Sequence, residues 1–296
     1  MSKLISAMTQ HEQLNFLLTN RVPRRLLTHF MGWYSKIESP RLARFSIKLW
    51  KIFANDLDLS ESKKQEFSSL HDCFIRELKE GVRPVDQDPA VITSPCDAII
   101  GAFGTIENGV VYQAKGFPYS MDELVLDSEL PKHFQNGCYV TLRLKSSMYH
   151  RFHAPVDCEI NEINYISGDT WNVNPVALKR IEKLYCKNER AVVELKIGEG
   201  GKKVLLVPVA AILVASMKFH CLDVRLDLKY EGPNHLVCSA RYKKGDEMGY
   251  FQHGSTILIF ASSHYELCEW IKTGDQINMG QTLLIEKRHF NEIKLS

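Results

Sequence analysis

The hydrophobic pattern of the chain changes near residues 83–89, and this change constrains the fold more than any other feature. In the first eighty residues, apolar side chains recur at intervals of three and four, as at Phe45, Leu49 and Ile52, which is typical of amphipathic helices. From Ala90 onward the apolar runs are short, rich in Val, Ile, Tyr and Thr, and separated by turn-forming residues. We therefore predict an α+β fold, with a helical region at residues 1–83 and a β-rich domain of mainly antiparallel strands at residues 84–296.

Several segments of the second region fit buried or half-buried strands. The longest apolar stretch, Val204–Met217, is shorter than the roughly 18 residues that a membrane-spanning helix needs, and Pro208 interrupts it. We expect any contact with a membrane to be peripheral. The predicted strands are Tyr139–Leu144, Glu159–Tyr165, Val192–Ile197, Val204–Val209, Leu236–Ala240, Thr256–Phe260 and Leu283–Glu286.

Composition narrows the functional classes. The 296 residues are 45% hydrophobic and carry a net charge of +2, which argues against a protein whose whole surface binds nucleic acid. The eight cysteines form no C-x-x-C pair, so we expect free thiols in a reducing compartment. The segment Met1–Gln10 lacks an uninterrupted apolar run, so we expect no secretory signal and a location in the cytoplasm.

The N-terminal region has a strong local charge. Between Arg21 and Lys51 lie eight basic residues and one acidic residue, a net charge of +7, interspersed with aromatic residues such as Trp33 and Trp50. Basic and aromatic residues together suit the headgroup region of an anionic bilayer. An aromatic stripe at helical spacing also fits packing against the rest of the protein, with the basic residues solvated. Both interpretations are open from the residues alone.

Three separate segments each carry one part of a nucleophilic site. Asp97 follows a proline turn, His150 and His153 lie three apart, and Ser255 directly precedes an apolar strand. Serine is a poor nucleophile until a base takes its proton, and histidine suits that task when an acid fixes its tautomer. Glycine at position 254 would let the chain bend there, although Gly-Ser is also an ordinary turn.

These segments, read together, resemble the signature of the phosphatidylserine decarboxylases. Members of that family carry an acid near the start of the β-rich domain, a Y-H-R-x-H-x-P block, matched by Tyr149–Pro155, and a C-terminal G-S-T, matched by Gly254–Thr256. The resemblance extends from about Phe74 to Leu284. Further matching blocks are Phe74–Pro84, Lys115–Ser120, Val173–Pro175 and Asn188–Arg190.

The resemblance implies a self-cleaving proenzyme. In the family scheme Ser255 is the nucleophile, His153 is its base and Asp97 orients the base. Cleavage between Gly254 and Ser255 would leave a β chain (1–254) and an α chain (255–296), held together as a heterodimer. Ser255 would become a covalent pyruvoyl group, and no metal or exogenous cofactor is expected.

The resemblance also implies the reaction and the place where it occurs. The pyruvoyl ketone would form a Schiff base with the amine of phosphatidylserine, and loss of CO2 would yield phosphatidylethanolamine, with His150 as the acid that protonates the carbanion. The enzyme would dock on an anionic membrane surface through its N-terminal helices, at the cytoplasmic face of the cell membrane. Arg151 is a candidate for holding the phosphate, and a higher oligomer stays open.

Two other functions remain possible from the residues. A serine hydrolase would use Asp97, His153 and Ser255 on an external ester without self-cleavage, although the chain lacks a G-x-S-x-G elbow. A binding module is suggested by glycine turns similar to those of lipoyl and biotinyl carrier domains, but the expected lysine between two strands is absent. The chain also departs from the family by placing His253 before Gly254, which adds a titratable group at the cleavage point.

Overall fold

The computed structural model describes residues 16, 23–114, 117–198, 201–213, 216–252 and 255–287. Three helices come first, α1 (Arg24–Tyr34), α2 (Pro40–Phe53) and α3 (Leu70–Phe74). The side chain of Ser39 accepts a hydrogen bond from the amide of Leu42, and proline follows it, so α2 has a favourable N-terminus. None of the helices in these ranges is long and apolar enough to cross a membrane.

The helical prediction for the first eighty residues is wrong for part of its length. The apolar periodicity continues to Leu78, but of residues 54–83 only the five residues of α3 are helical. The prediction for residues 1–15 and 17–22 lies outside the described residues. The carboxylates of Asp58 and Asp72 accept hydrogen bonds from the amides of Ser60 and Ser68, at 2.8 and 3.0 Å. Such local side-chain bonds compete with helical hydrogen bonding, and they hold the segment in turns.

All strands in the described ranges lie C-terminal to these helices, together with short helices that cover the sheet. The helices are α4 (Met121–Val125), a 3-10 helix (Leu130–Phe134), α5 (Pro175–Leu178) and α6 (Leu184–Lys187). The strands are β1 (Val91–Thr93), β2 (Ala98–Thr105), β3 (Val110–Ala114), β4 (Phe117–Ser120), β5 (Cys138–Leu144), β6 (Arg151–His153), β7 (Cys158–Ile166), β8 (Arg190–Lys196), β9 (Lys203–Ala210), β10 (Ser216–Phe219), β11 (Leu226–Asp227), β12 (His235–Tyr242), β13 (Glu247–Phe251), β14 (Ser255–Ala261), β15 (Tyr265–Leu267), β16 (Gln276–Ile277) and β17 (Thr282–Glu286).

An antiparallel sheet of eight strands, in the order β12-β7-β8-β9-β14-β5-β2-β16, forms the centre of the fold. Strand β14, one of the two central strands, is buried along its whole length because both faces of the sheet are covered. Ile257 and Ile259 point into one hydrophobic core, while Leu258 and Phe260 point into the other, as the alternation of a strand requires. The strand at whose start Ser255 lies is therefore held from two sides.

Two smaller sheets position the rest of the site. A four-stranded sheet has the order β11-β10-β13-β6, and a three-stranded sheet has the order β1-β17-β15. The predicted α+β class with mainly antiparallel strands is confirmed. Each of the seven predicted strands agrees within two residues with β5, β7, β8, β9, β12, β14 or β17. A domain boundary after residue 83 stays a prediction.

Candidate active site

Main-chain hydrogen bonds bring the three predicted segments together. The strand β6 pairs with β13, and the amide of Phe251 donates to the carbonyl of His150 at 2.9 Å. On the other side of β6, the amide of His153 donates to the carbonyl of Pro95 at 2.8 Å. The loop before Asp97, the histidine segment and the segment that leads to Ser255 therefore meet at the end of β6.

Ser255 begins β14, where it pairs with Leu144 on β5 and Ala210 on β9. Its side chain is fully buried, and its Oγ atom has no hydrogen-bond partner among the described residues. Buried hydroxyl groups are normally hydrogen-bonded, and Ser255 is one of several in the described residues whose hydroxyl has no partner. The predicted cleavage residue Gly254 and its neighbour His253 lie outside the described residues.

His150 is fully buried, and its ring packs against Phe74 with 4.1 Å between ring centroids. Its Nδ1 atom lies 2.8 Å from the carbonyl oxygen of Met148, so Nδ1 carries the proton and donates it. The Nε2 atom then has a free lone pair, with no partner in the described part of the chain. Burial, with a smaller contribution from Arg76, lowers the pKa of His150 to about 3, so the ring is neutral at physiological pH.

The ring of His153 has two partners. Its Nδ1 atom donates to the carbonyl oxygen of Gly245 at 2.8 Å, and its Nε2 atom accepts from the hydroxyl of Tyr149 at 2.9 Å. Burial lowers the pKa of His153, while the carbonyl of Gly245 and the charges of Glu247 and Asp97 act in the opposite direction. The tautomer that a base needs at Nε2 is therefore set by a backbone carbonyl.

Asp97 is buried and belongs to a network of ion pairs. Its carboxylate accepts hydrogen bonds from Arg83, the shortest at 2.7 Å, and from the amide of Met279 at 2.8 Å. Arg83 also pairs with Glu61 at 2.7 Å. These two carboxylates raise the pKa of Arg83 even though its burial opposes the shift. The predicted role of Asp97 is direct orientation of His153, but the hydrogen bonds of its carboxylate go to these other groups, and it acts on His153 through space.

Arg151, which the sequence suggested for the phosphate, is already engaged. Its guanidinium forms an ion pair with Glu247 at 2.6 Å and donates to the carbonyl of Ile75 at 2.9 Å. Its planar face lies 5.5 Å from the ring centroid of Tyr250. These contacts hold β6 against β13 and α3, and they leave the side chain less available to an anion.

The geometry adds residues that sequence reasoning assigned no role. Tyr149 hydrogen-bonds to His153, and the carbonyl of Gly245 sets the tautomer of that ring. Arg83 binds Asp97 and is itself held by Glu61. Tyr149 and Arg83 lie inside the motif blocks that carry the family resemblance, which is a usable signal. Glu61 and the carbonyl of Gly245 lie outside these blocks and depend on tertiary contacts.

Comparison with known proteins decides the family. The sequence model of a family described as Phosphatidylserine decarboxylase matches residues 70–285, which include all four predicted site residues. A phosphatidylserine decarboxylase proenzyme from Haemophilus influenzae is 32% identical over 279 residues, covering 90% of this chain and 94% of that protein. One from Brevibacillus brevis is 32% identical over 91% of this chain and 97% of its own length. One from Vibrio parahaemolyticus is 31% identical over 90% and 96%.

The chain belongs to the phosphatidylserine decarboxylase family. The predicted family and the predicted class of enzyme, a decarboxylase, are therefore confirmed. Ser255, His150, His153 and Asp97 are all buried. The chemistry of these residues is a matter of proposal.

Proposed function

We propose that the chain is a proenzyme that cleaves itself between Gly254 and Ser255 and then converts phosphatidylserine to phosphatidylethanolamine and CO2. The observation that carries the proposal is the pair of unpartnered buried atoms, Oγ of Ser255 and Nε2 of His150. Buried polar groups without partners are costly, and a reactive site is a recognised reason for them. The matched relatives are phosphatidylserine decarboxylase proenzymes by name, which supports both the substrate and the self-cleavage.

In the proposed cleavage, Oγ of Ser255 attacks the carbonyl carbon of Gly254 and gives its proton to Nε2 of His153. Tyr149 must first release Nε2, and the bond from Nδ1 to Gly245 keeps the ring in the correct tautomer. The charge of Asp97 then stabilises the imidazolium ion through space.

The amide between Gly254 and Ser255 becomes an ester through this attack. Elimination removes the α-hydrogen of Ser255 and breaks its Cβ–Oγ bond, so the carboxylate of Gly254 leaves with the β chain. Hydrolysis of the remaining dehydroalanine releases ammonia and leaves a pyruvoyl group at the N-terminus of the α chain. The unpartnered Oγ fits this conversion because no hydrogen bond of the described structure is lost with it.

The pyruvoyl group supplies a ketone that binds the substrate amine and accepts the electron pair released with CO2. His150 is neutral before the reaction because burial lowers its pKa to about 3. Its Nε2 atom therefore starts unprotonated, with a lone pair that can accept a hydrogen bond from the substrate amine. To fill the acid role predicted from the family, the ring must first take up a proton, which it then gives to the carbon that has lost CO2.

The two chains are expected to stay together after cleavage. The α chain would contain β14, which lies between β5 and β9, and β17, which lies between β1 and β15. Strands β5, β9 and β1 belong to the β chain. Main-chain hydrogen bonds in two sheets would then join the chains as a heterodimer.

We also propose that α1 and α2 dock the enzyme on an anionic membrane at the cytoplasmic face. Phe45, Leu49, Ile52 and Phe53 on α2 are 46 to 65% exposed, and Trp33 on α1 is 63% exposed. The competing interpretation, in which this stripe packs on the rest of the protein, would require buried side chains. Large exposed apolar side chains beside basic residues fit a helix that lies in the membrane interface.

Mass spectrometry of the denatured protein tests self-cleavage. We expect two chains of 254 and 42 residues, the shorter one blocked by pyruvoyl, and CO2 release when phosphatidylserine is added. Ser255→Ala should leave one intact chain. The control Thr141→Val, which removes another buried hydroxyl without a described partner from the same sheet, should cleave normally. An intact wild-type chain that hydrolyses esters would instead favour the serine hydrolase.

A further inference from the structure

A cavity of about 170 Å³ lies between α1 and the four-stranded sheet, and its lining includes none of Asp97, His150, His153 and Ser255. Trp33 and Lys36 line it from the side of α1. Ser216 on β10, Gln252 after β13, and the segment Arg225–Lys229 around β11 line it from the side of the sheet. The cavity therefore connects the helix that carries exposed apolar side chains with the segment that leads to Ser255.

The cavity is positively charged. Lys36, Arg225 and Lys229 line it against the single carboxylate of Asp227, which is bound to Arg225 at 2.7 Å. Within the described ranges neither lysine forms an ion pair. Burial, followed by the charge of Arg225, lowers the pKa of Lys36. A half-buried ammonium group beside a second cation is stabilised by an anion that enters the cavity.

The floor of the cavity carries two polar groups that lack partners. Ser216 and Gln252 are each only 3% exposed, and neither Oγ of Ser216 nor Oε1 of Gln252 has a hydrogen-bond partner among the residues described. The amide of Gln252 donates to the carbonyl of Ser216 at 3.2 Å, so these two residues are held side by side. A ligand oxygen atom would accept a hydrogen bond from the hydroxyl group of Ser216, whereas Oε1 of Gln252 needs a donor, such as the ammonium group of a zwitterionic ligand.

The position of this floor relates it to the reaction. Gln252 is three residues before Ser255, a separation that an extended chain spans in about 10 Å. Phe251, next to Gln252, pairs with Met217 and donates its amide hydrogen to the carbonyl of His150. The opposite wall is α1, whose Phe30 and Trp33 are exposed. In a serine phospholipid, the phosphodiester likewise lies between the acyl chains and the amino group that reacts.

We propose that this cavity binds the phosphodiester of the serine phospholipid, with Lys36 and Lys229 neutralising its charge and Ser216 donating a hydrogen bond to one of its oxygen atoms, while Oε1 of Gln252 accepts from a donor of the same headgroup. The proposal rests on the proposed decarboxylase function and names the phosphate subsite of that reaction. Arg225 is held by Asp227 and shapes the positive potential rather than making the closest contact. The phosphate would thus be bound by Ser216 on β10 and by residues that directly follow α1 and β11.

Steady-state kinetics test the subsite with dihexanoyl phosphatidylserine dispersed in water, so that membrane docking does not contribute. Lys36→Gln and Lys229→Gln should each raise KM by about tenfold or more, because a hydrogen bond to a charged group is lost, while kcat and self-cleavage stay unchanged. Lys36→Arg should restore most of the affinity. Lys272→Gln removes an exposed charge that is not part of the cavity lining and serves as the matched control. An unchanged KM in both cavity variants would overturn the proposal.

Calorimetric binding to the uncleaved Ser255→Ala variant tests the cavity without catalysis. Glycerophosphoserine should bind, and Lys36→Gln in the same background should weaken it by about tenfold. If inorganic phosphate binds at Lys36 but glycerophosphoserine does not displace it, the cavity is a site for the free anion and the headgroup proposal is wrong. If glycerophosphoserine binds as expected but the wild-type enzyme releases no CO2 from phosphatidylserine, the subsite stands and the proposed reaction fails.

Discussion

Tyr149 donates its hydroxyl hydrogen to Nε2 of His153 across 2.9 Å, and this bond occupies the ring nitrogen that would serve as the base for Ser255. The direction of the bond follows from the other side of the ring, where Nδ1 faces the carbonyl of Gly245 and must carry the proton. The base is thus held in the correct tautomer but is not yet free. Tyr149 restrains the proposed cleavage in this conformation.

Tyr149→Phe should accelerate self-cleavage. Loss of this hydrogen bond, which is worth about 1 kcal/mol, frees Nε2 and raises the pKa of His153, and this free energy corresponds to a rate increase of up to about fivefold. Gel electrophoresis of freshly synthesised chain at timed intervals measures the rate. Tyr112→Phe, on a half-exposed tyrosine away from the site, should change nothing. Slower cleavage in Tyr149→Phe would mean that the hydroxyl relays the proton instead of restraining the base.

Arg83→Met should destabilise the protein strongly because it leaves the buried carboxylate of Asp97 without its countercharge. The side chains of Arg83 and Asp97 are 11% and 5% exposed, and breaking a buried pair costs about 3 to 5 kcal/mol. Urea unfolding of the uncleaved Ser255→Ala background measures the loss. Arg241→Met breaks an exposed pair with Glu159 and should cost less than about 1 kcal/mol. Equal losses in the two variants would contradict the buried network.

The strands could be predicted from the sequence more completely than the helices. A buried strand such as β9 or β14 is a short run rich in Val, Ile and Leu, and such a run predicts a buried strand whatever the order of the strands in the sheet. The helical periodicity through Leu78 did not produce a continuous helix, because the hydrogen bonds that Asp58 and Asp72 accept from nearby backbone amides replaced helical hydrogen bonds. The hydrophobic pattern predicted the structure correctly where packing followed it. It failed where side chains formed hydrogen bonds to nearby backbone amides in place of helical ones.

The candidate site could be predicted as a set of residues but not as an arrangement. Motif blocks named Asp97, His150, His153 and Ser255, and the structure brings their segments together around β6. Their hydrogen bonds could not be inferred, because the partners include a backbone carbonyl at Gly245 and a backbone amide at Met279, and because Arg83, which binds Asp97, is itself held by the distant Glu61. Sequence patterns carry little information about such long-range contacts.

Stability should fall in acid because of His150. Its pKa is about 3 in the folded state and about 6.5 in the unfolded state, so the unfolded chain binds the extra proton. The stability that the neutral ring contributes is therefore present above pH 6.5 and is lost progressively as the pH falls toward 3, by on the order of 4 to 5 kcal/mol. Urea unfolding at pH 7, 6, 5 and 4 measures the slope. Burial also lowers the pKa values of His71 and His153, so His150→Gln should reduce the slope without abolishing it, and exposed His133→Gln should leave the slope unchanged. Identical slopes in the two variants would exclude His150 as the cause.

Apolar substitutions on α2 should separate membrane docking from catalysis. Phe45→Ser with Leu49→Ser removes two exposed side chains that the proposal buries in the bilayer interface, so binding to vesicles containing phosphatidylserine should weaken by about tenfold or more. Co-sedimentation with the vesicles measures binding. Self-cleavage and turnover of dispersed dihexanoyl phosphatidylserine should be unchanged because α2 lies outside the site.

The electrostatic part of docking needs a different set of residues on the same helix. Arg24, on α1, is unsuitable for the test because it pairs with Asp169 at 2.7 Å and stacks on Trp171, so its loss would disturb the fold. Lys48→Glu with Lys51→Glu reverses two charges near the apolar stripe and should weaken binding most at low salt. Val237→Ser, on a residue that is 78% exposed on β12, is the matched control for lost apolar surface. Docking through α2 would be wrong if the control and the α2 variants lost vesicle binding equally.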